Sequence, residues 1–279
     1  MLKKLYGVIG SPITHSMSPH IHNDAFKQMD YNAHYHAFHI EPDELEDAVK
    51  GMKALGVSGF NVTIPHKEAI IPLLDEVDEA ARRIGAVNTV VNRDGVLIGY
   101  NTDGKGYVEA LKEVTMLKNK RVLIIGAGGA ARAIFYTLAK EGNIQIDLYN
   151  RTACKAVELI QEFSLNHLAK GISSKEAVNR MKDYDVVVQT TSVGMFPYTE
   201  ESPFPLINIK EGAVFSDIIY NPIETRLLRD AKALGAVTQN GVSMFAYQAA
   251  FAFEHWTGQL PDTDRMKNIV KVQLGGISC

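Results

Sequence analysis

Short apolar runs alternate with longer amphipathic segments along the first hundred residues. The short runs predict strands, and the segments whose apolar residues recur every three or four positions predict helices between them. Strands are expected at Leu5–Ile9, Ala33–Ile40 and Ser58–Ile64, and as a hairpin at Val87–Val91 and Val96–Tyr100. Helices are expected at Pro19–Met29, with Ser18 as its N-cap, at Pro42–Leu55 and at Asp75–Ile84. This alternation predicts an α/β domain of residues 1–103.

The alternation continues after Gly104, where a helix leads into a second set of elements. Strands are expected at Arg121–Ile125, Ile144–Tyr149, Asp185–Gln189, Ala213–Asp217 and Ala236–Thr238. Helices are expected at Arg132–Lys140, from Thr152 to about Phe163, from Ser174, and at Glu224–Leu234, Asn240–His255 and Thr263–Leu274. Residues 196–212, rich in polar groups, Pro and Gly, predict an exposed loop. Residues 104–239 therefore form a second predicted α/β domain, while the pattern alone leaves helices 240–279 able to pack on either domain.

The second domain opens with a glycine-rich turn between a strand and a helix. Small residues occupy the whole turn after Ile125, as Gly126, Ala127, Gly128, Gly129, Ala130 and Ala131. Gly126 permits a tight turn and Gly128 lets the backbone approach a pyrophosphate, while the helix N-terminus offers free N–H groups and a positive dipole end. In its β-α-β context, this G-x-G-x-x-A spacing predicts a dinucleotide-binding domain.

The end of the next strand indicates which dinucleotide is bound. An NAD site usually carries Asp or Glu there, which accepts a hydrogen bond from the ribose 2′-OH. This chain instead has Asn150, Arg151 and Thr152, with Lys155 one turn later, and Asp147 comes three residues too early and is expected at a surface or edge. A planar cation with further donors suits a 2′-phosphate, so the sequence favours NADP over NAD. The alternative is that Arg151 is only a solvated loop residue.

The composition narrows the class of protein. At 279 residues the chain has room for about two domains. With 46% apolar and 22% charged residues, a net charge of −3 and no long basic run, it is expected to be soluble and to bind neither nucleic acid nor membrane. Pro12 cuts the N-terminal apolar run too short for a signal peptide, and no stretch approaches the length of a transmembrane helix. Two cysteines, Cys154 and Cys279, indicate a reducing compartment, so a cytoplasmic location is expected.

Polar residues follow several predicted strands of the first domain. Ligands in open α/β sheets collect at the carboxyl ends of strands, which is where such side chains should converge. The positions are Ser16, Ser18, Asn61, Thr63, Lys67, Asn88, Thr89, Asn101, Thr102 and Asp103. Reducing a ketone with hydride requires a proton donor, which the Lys67 ammonium can supply, and the Asp103 carboxylate beside it would orient it. The spacing alone does not decide whether these two residues meet.

A metal site is not expected. Six of the nine histidines precede residue 40, but neither an H-E-x-x-H motif nor a cysteine pair is present. His15 and His66 lie in polar loops, where structural roles are favoured over acid–base catalysis. Cys154 follows the proposed phosphate-binding loop and is expected to be a buried, inert thiol.

Eight segments, spread over nearly the whole chain, together resemble the shikimate dehydrogenase family. They are Gly10–Pro19, Asn61–Lys67, Gly85–Thr89, Gly99–Gly104, Gly126–Ala131, Asn150–Thr152, Asp217–Pro222 and Asn240–Gln248. The resemblance implies an N-terminal α/β substrate domain and a Rossmann-type NADP-binding domain, with the C-terminal helices returning to the substrate domain. Gln189 and Phe245 depart from the family, which usually has Asn and commonly has Leu at these positions.

The resemblance also implies roles for individual residues. Lys67 and Asp103 would be the catalytic pair, and Ser16 and Ser18 would hold the substrate carboxylate. The remaining substrate-binding residues would be Asn61, Thr63, Asn88, Tyr220 and Gln248. The cofactor-binding residues would be Gly126, Ala127, Gly128, Gly129, Ala130, Asn150, Arg151, Thr152, Lys155, Thr190, Ile218, Gly241 and Met244.

The resemblance implies an oxidoreductase of chorismate and aromatic amino-acid biosynthesis, a monomer or homodimer that reversibly reduces 3-dehydroshikimate with NADPH. Two alternatives remain open. One is the quinate/shikimate dehydrogenase branch, which often uses NAD; Ser18, where that branch tends to have Thr, and Arg151 argue against it. The other is a non-catalytic NADP-binding protein, against which the intact pair of Lys67 and Asp103 argues.

Overall fold

The computed structural model describes residues 2–275, which divide into two compact units. Unit one contains the chain up to Asp103 together with Ala246–Gln273, and unit two contains Gly104–Phe245 with Leu274 and Gly275. Cys279 lies outside the described residues. None of the helices within residues 2–275 is long and apolar enough to cross a membrane.

Unit one is built on a six-stranded mixed sheet. Its elements begin with β1 (Lys4–Gly10), α1 (Ser18–Gln28), β2 (Ala33–His39), α2 (Leu45–Ala54), β3 (Gly59–Val62), β4 (Glu76–Val77), α3 (Glu79–Ile84), β5 (Thr89–Arg93) and β6 (Val96–Tyr100). The strand order is β2-β1-β3-β5-β6-β4. Strand β1 pairs in parallel with β2 and β3, whereas β5 pairs antiparallel with β3 and β6. The carboxyl ends of β1 and β3 therefore lie at one edge of the sheet.

The prediction of a helix over Asp75–Ile84 is wrong in its first half. Glu76–Val77 form a short strand that pairs with β6, and the helix is limited to Glu79–Ile84. Hydrogen bonds to a residue distant in the chain explain the difference. The Asp75 backbone N–H donates to the Leu97 carbonyl, and the Asp75 carboxylate accepts the Leu97 N–H. Asp78 then caps the helix by accepting the Ala80 N–H at 2.9 Å.

Unit two has an all-parallel, doubly wound sheet. Its elements are α4 (Asp103–Lys112), β7 (Arg121–Ile125), α5 (Gly129–Leu138), β8 (Gln145–Tyr149), α6 (Ala153–Glu162), β9 (Ala169–Ile172), α7 (Ser174–Asn179), β10 (Val186–Gln189), β11 (Val214–Asp217), α8 (Arg226–Ala233) and β12 (Val237–Gln239). The strand order is β12-β11-β10-β7-β8-β9, with every pair parallel. Apolar side chains cover both faces of the sheet. Val122 and Ile124 belong to the apolar cluster on one face, and Leu123 and Ile125 belong to the cluster on the other face.

The last two helices are α9 (Val242–Thr257) and α10 (Thr263–Gln273). The boundary between the units falls inside α9, between Phe245 and Ala246, whereas the sequence analysis placed it at residue 240. The difference arises because the start of α9 packs within unit two. Gly241 donates its backbone N–H to the Ile219 carbonyl, and the Phe245 ring lies 4.9 Å from the Tyr220 ring. The rest of α9 belongs to unit one, where Trp256 donates to the Val90 carbonyl.

Candidate active site

Lys67 and Asp103 form an ion pair in unit one. Lys67 lies in the loop after β3, and Asp103 begins α4 shortly after β6. The Lys67 Nζ donates to Asp103 Oδ2 at 2.5 Å, and the side chains are 21% and 7% exposed. The structure therefore brings together the two residues that the sequence analysis selected for proton transfer, with the ammonium partly open to solvent.

The Asn88 amide holds the other oxygen of the Asp103 carboxylate. Its Nδ2 donates to Asp103 Oδ1 at 2.8 Å and to the Thr102 hydroxyl at 2.9 Å. Its Oδ1 accepts the Thr102 N–H at 2.8 Å and the Thr89 hydroxyl at 3.0 Å. Donors on both carboxylate oxygens fix the orientation of Asp103 toward Lys67. Because both amide protons of Asn88 are used within the protein, a ligand hydroxyl would have to replace one of its present acceptors.

Asn61 is buried in β3 and connects this strand with the beginning of β5 and with Tyr35 in β2. Its Nδ2 donates to the Asn88 carbonyl at 3.0 Å and to Thr89 at 3.2 Å, and its Oδ1 accepts the Tyr35 hydroxyl at 2.7 Å. Burial raises the pKa of the Tyr35 phenol well above its ordinary value, so the hydroxyl remains a donor. No motif in the sequence marks Tyr35 as a site residue, although the alternation of β2 does place it on the buried face.

The two serines lie at the start of α1. Ser18 is the first residue of the helix rather than its cap, so the capping prediction is wrong. The N-cap residue is Met17, whose side chain makes no capping hydrogen bond. Ser18 instead donates its backbone N–H to the Ser16 Oγ at 3.3 Å. Two hydroxyls at a helix N-terminus suit an anionic group such as a carboxylate.

The other predicted substrate residues of unit one differ in their surroundings. Thr63 follows β3, is half-buried and donates its N–H to the Ile9 carbonyl. The Gln248 carbonyl accepts the Thr102 hydroxyl at 3.0 Å, which places α9 beside Asn88 and Asp103. His66 is buried and its Nε2 lies 2.7 Å from the Ile40 carbonyl, a structural role as expected.

The glycine-rich turn of unit two fits a dinucleotide phosphate. Gly126 has φ of 119°, a conformation that L side chains rarely adopt, and a Cβ there would overlap Thr190 Oγ1. The Thr190 hydroxyl donates to the Ile125 carbonyl at 2.6 Å. Gly128 is the N-cap residue of α5, and no atom lies within 4 Å of the place where its Cβ would be. The helix begins at Gly129, three residues earlier than predicted, with no side chain capping its N–H groups, so a phosphate can reach them.

The loop after β8 presents an exposed cation and further donors. Arg151, Thr152 and Lys155 are exposed at the start of α6, and Asn150 donates to the Thr152 carbonyl at 2.9 Å. This is the chemistry that a 2′-phosphate requires. Cys154 is also exposed, so the prediction of a buried thiol is wrong.

The prediction that Asp147 lies at a surface or edge is also wrong. It is 6% exposed rather than at a surface, because β9 pairs with β8 on the side that the sequence analysis left open. Its Oδ2 accepts the Tyr184 hydroxyl at 2.8 Å and lies 3.1 Å from Arg180. The carboxylate is thus occupied within the protein, and the loop after β8 supplies no acid for a ribose 2′-OH.

The remaining predicted cofactor residues of unit two lie after β11 and at the start of α9. Gly241 packs so closely that a Cβ would overlap the Ile218 carbonyl, and the Ile218 N–H donates to the Gln189 carbonyl. Met244 packs against the apolar cluster of β7 and α5. Tyr220 is half-buried, and burial raises its pKa.

A parallel sheet with a glycine turn that fits a dinucleotide phosphate, together with a lysine–carboxylate pair in a second sheet-based unit, is typical of a nicotinamide-dependent dehydrogenase. Three family descriptions match the chain: the shikimate dehydrogenase substrate binding domain at residues 8–90, shikimate/quinate 5-dehydrogenase at 108–219 and the shikimate 5′-dehydrogenase C-terminal domain at 241–271. The chain therefore belongs to the shikimate dehydrogenase family.

Individual relatives are similar over their whole length. The shikimate dehydrogenase (NADP⁺) of Geobacillus sp. strain WCH70 is 57% identical, with 99% of this chain and 100% of the relative covered. The shikimate 5-dehydrogenase of Thermus thermophilus, solved with NADP(H) and shikimate, is 36% identical with a TM-score of 0.89, covering 96% and 99% of the two chains. The 5-ketofructose reductase of Gluconobacter sp. strain CHM43 is 34% identical with a TM-score of 0.85, covering 98% and 99%.

Proposed function

We propose that the protein is an NADP-dependent shikimate dehydrogenase that reversibly reduces 3-dehydroshikimate to shikimate, in chorismate and aromatic amino-acid biosynthesis. The observation that carries the proposal is the ion pair of Lys67 and Asp103, held by Asn88 at the strand ends of unit one. The identity of 57% with a relative named shikimate dehydrogenase (NADP⁺) supports the same substrate and cofactor.

Lys67 would transfer the proton of the reaction. In the reduction direction the substrate oxygen gains negative charge, and the Lys67 ammonium donates a proton to it. In the oxidation direction the neutral amine accepts that proton. Asp103 orients the ammonium through their 2.5 Å hydrogen bond and is itself held by Asn88. The bound NADPH supplies the hydride.

The proposed substrate contacts are distributed over several elements of the fold. Ser16 and Ser18 at the start of α1 would donate hydroxyl protons to the carboxylate. The residues proposed to contact the ring hydroxyls or to lie beside the substrate are Asn61, Thr63, Asn88, Asp103, Tyr220 and Gln248. Polar groups at this number of positions can distinguish a hydroxylated ring from an apolar one.

The proposed cofactor contacts follow from the chemistry of the glycine turn and the loop after β8. The N–H groups at the start of α5 would hold the pyrophosphate, with Gly126, Ala127, Gly128, Gly129 and Ala130 forming the turn. Asn150, Arg151, Thr152 and Lys155 would bind the 2′-phosphate. Thr190, Ile218, Gly241 and Met244 would lie toward the nicotinamide.

We further propose that the protein acts in the cytoplasm on a small-molecule substrate, as a monomer or homodimer, without nucleic acid or membrane. The net charge of −3 is consistent with the absence of a polyanionic partner.

The first experiment measures the absorbance of reduced nicotinamide, with shikimate or quinate as substrate and NADP⁺ or NAD⁺ as cofactor. In the reduction direction, 5-ketofructose is tested as a third substrate because a relative with 34% sequence identity is named 5-ketofructose reductase. Turnover confined largely to shikimate with NADP⁺ is expected. Comparable rates with quinate or NAD⁺ would indicate the dual-specificity branch. Folded protein that binds NADPH without any turnover would instead be a non-catalytic NADP-binding protein.

A further inference from the structure

Asp217 is a buried carboxylate that the proposed chemistry does not use. It ends β11 and is 1% exposed. Its Oδ1 accepts the Ile219 N–H at 3.0 Å, and its Oδ2 accepts the Thr225 hydroxyl at 2.8 Å. Thr225 is also buried and caps α8 by accepting the Leu228 N–H. The carboxylate therefore connects the end of a central strand, the segment after it and the start of the next helix.

No cation compensates the charge of Asp217 among residues 2–275. Burial raises the pKa of the Asp217 carboxyl to about 7. The hydrogen bonds from Ile219 and Thr225 lower this pKa, but their effect is smaller than that of burial. Tyr107 of α4 is a titratable side chain close to Asp217. Burial raises the pKa of Tyr107, and the nearby Asp217 adds to the effect. A buried carboxylate that no cation neutralises lowers the stability of the folded protein. We therefore expect the two hydrogen bonds of Asp217 to fix the conformation of the residues that follow β11.

The segment that Asp217 holds is Ile218–Tyr220. Ile218 donates to the Gln189 carbonyl at 3.1 Å, and the Ile219 carbonyl accepts the Gly241 N–H at 2.9 Å. Gly241 packs directly on the Ile218 carbonyl, leaving no room for a Cβ. The position of Ile218 and Tyr220 therefore depends on the backbone at Ile219, whose N–H donates to the Asp217 carboxylate.

We propose that Asp217 is a positioning residue for the reaction: it holds Ile219, and through it the neighbouring Ile218 and Tyr220, in the conformation required for hydride transfer. This rests on the proposed function, in which Ile218 lies toward the nicotinamide and Tyr220 near the substrate. Replacing the carboxylate by an amide keeps the shape but presents an NH₂ group to the Thr225 hydroxyl, so that the two groups can no longer pair as they do now. A small displacement of reacting groups is enough to slow the chemical step.

The test compares Asp217→Asn with Asp185→Asn. Asp185 lies at the opposite end of the neighbouring strand and also accepts one backbone N–H and one side-chain donor, from Arg121 and Lys210. We expect Asp217→Asn to lower kcat about tenfold and to leave the NADPH dissociation constant within about threefold, since the phosphate contacts remain. The deuterium isotope effect on kcat, with shikimate labelled at the carbon that is oxidised, should rise. Asp185→Asn should keep the wild-type kcat and isotope effect.

Amide hydrogen exchange and a second pair of variants separate this role from mere stability. Exchange at Ile219 and Gly241 should become faster in Asp217→Asn. Thr225→Ser, which keeps the hydroxyl, should behave as wild type, whereas Thr225→Val should resemble Asp217→Asn. An isotope effect and exchange rates equal to wild type, even with lower stability, would overturn the proposal. Wild-type protein that does not oxidise shikimate would refute the proposed function instead, and exchange alone would then decide the role of Asp217.

Discussion

The Lys67 ammonium donates to the Asp103 carboxylate at 2.5 Å, although 36 residues separate them in the chain. Asn88 donates to the other carboxylate oxygen, and Asn61 in turn donates to Thr89, which bonds Asn88. The pair is thus the end of a buried network rather than an isolated surface contact. Hydrogen bonds on both oxygens of Asp103 and on both amide protons of Asn88 hold these side chains rigidly, which is what a proton donor of defined direction requires.

Lys67→Ala should lower kcat for shikimate oxidation by about a hundredfold or more, because general acid–base catalysis typically contributes about 10²–10⁴-fold. The KM for shikimate should change by less than about threefold, since the binding groups remain. The control is Lys50→Ala, which removes an exposed lysine of α2 that pairs only with Glu46 in the described part of the chain. A large rise in KM with kcat intact would make Lys67 a binding residue.

Arg151→Ala should raise the KM for NADP⁺ about tenfold to a hundredfold, because a hydrogen bond to a charged group contributes about 1.5–3 kcal/mol. The KM for NAD⁺, which lacks the 2′-phosphate, should change by less than about twofold. Arg93→Ala, which removes an exposed arginine of unit one, serves as the control and should change neither constant. An equal rise in the KM for NADP⁺ and for NAD⁺ would show that Arg151 does not bind the 2′-phosphate.

His22 should make the protein sensitive to acid. It is fully buried, its ring stacks on Tyr35 at 4.4 Å, and neither ring nitrogen has a hydrogen-bond partner among residues 2–275. Burial lowers its pKa to about 3. Between pH 6.5 and 3 the unfolded chain therefore binds a proton that the folded protein does not, so stability falls as pH falls through this window.

Urea unfolding at pH 7 and pH 4 tests this expectation. Wild type should lose up to about 3 kcal/mol more stability over this interval than His22→Phe, which keeps an aromatic ring in the stack and cannot bind a proton. His34→Phe changes an exposed histidine of β2 and should keep the wild-type pH dependence. If His22→Phe loses as much stability as wild type, protonation of His22 does not contribute to acid unfolding.

Elements with strong periodicity could be predicted from the sequence. The run from Val122 to Ile125 is apolar throughout because this part of β7 is buried on both faces. The following turn needs glycine at Gly126 because φ is 119°. β9 was not predicted, since four residues containing Lys170 and Gly171 have no recognisable pattern. It forms because β8 offers a parallel partner.

Two of the errors share one cause, which is that distant contacts outweigh local preference. Residues 76–77 are helical by pattern and extended in the fold, because β6 supplies hydrogen bonds to them. An acid inside a strand favours a surface or edge position for Asp147, yet Arg180 and Tyr184 from a distant segment allow its burial. Cys154 was expected to be buried because of its residue type, but the exposed start of α6 leaves it open.

The sequence by itself determined the succession of strands and helices, the glycine turn and the chemical types of residue available at the ends of the strands. These depend on backbone conformation and on spacing along one segment, which neighbouring residues set. Only the tertiary structure decided that Lys67 meets Asp103, that Asn88 uses both its amide protons within the protein, and that Asp217 is buried with the Ile219 N–H and the Thr225 hydroxyl as its donors. Each of these features depends on groups that are far apart in the chain. The order of the strands in the sheets determines how close such groups come in space, and no local sequence pattern does so.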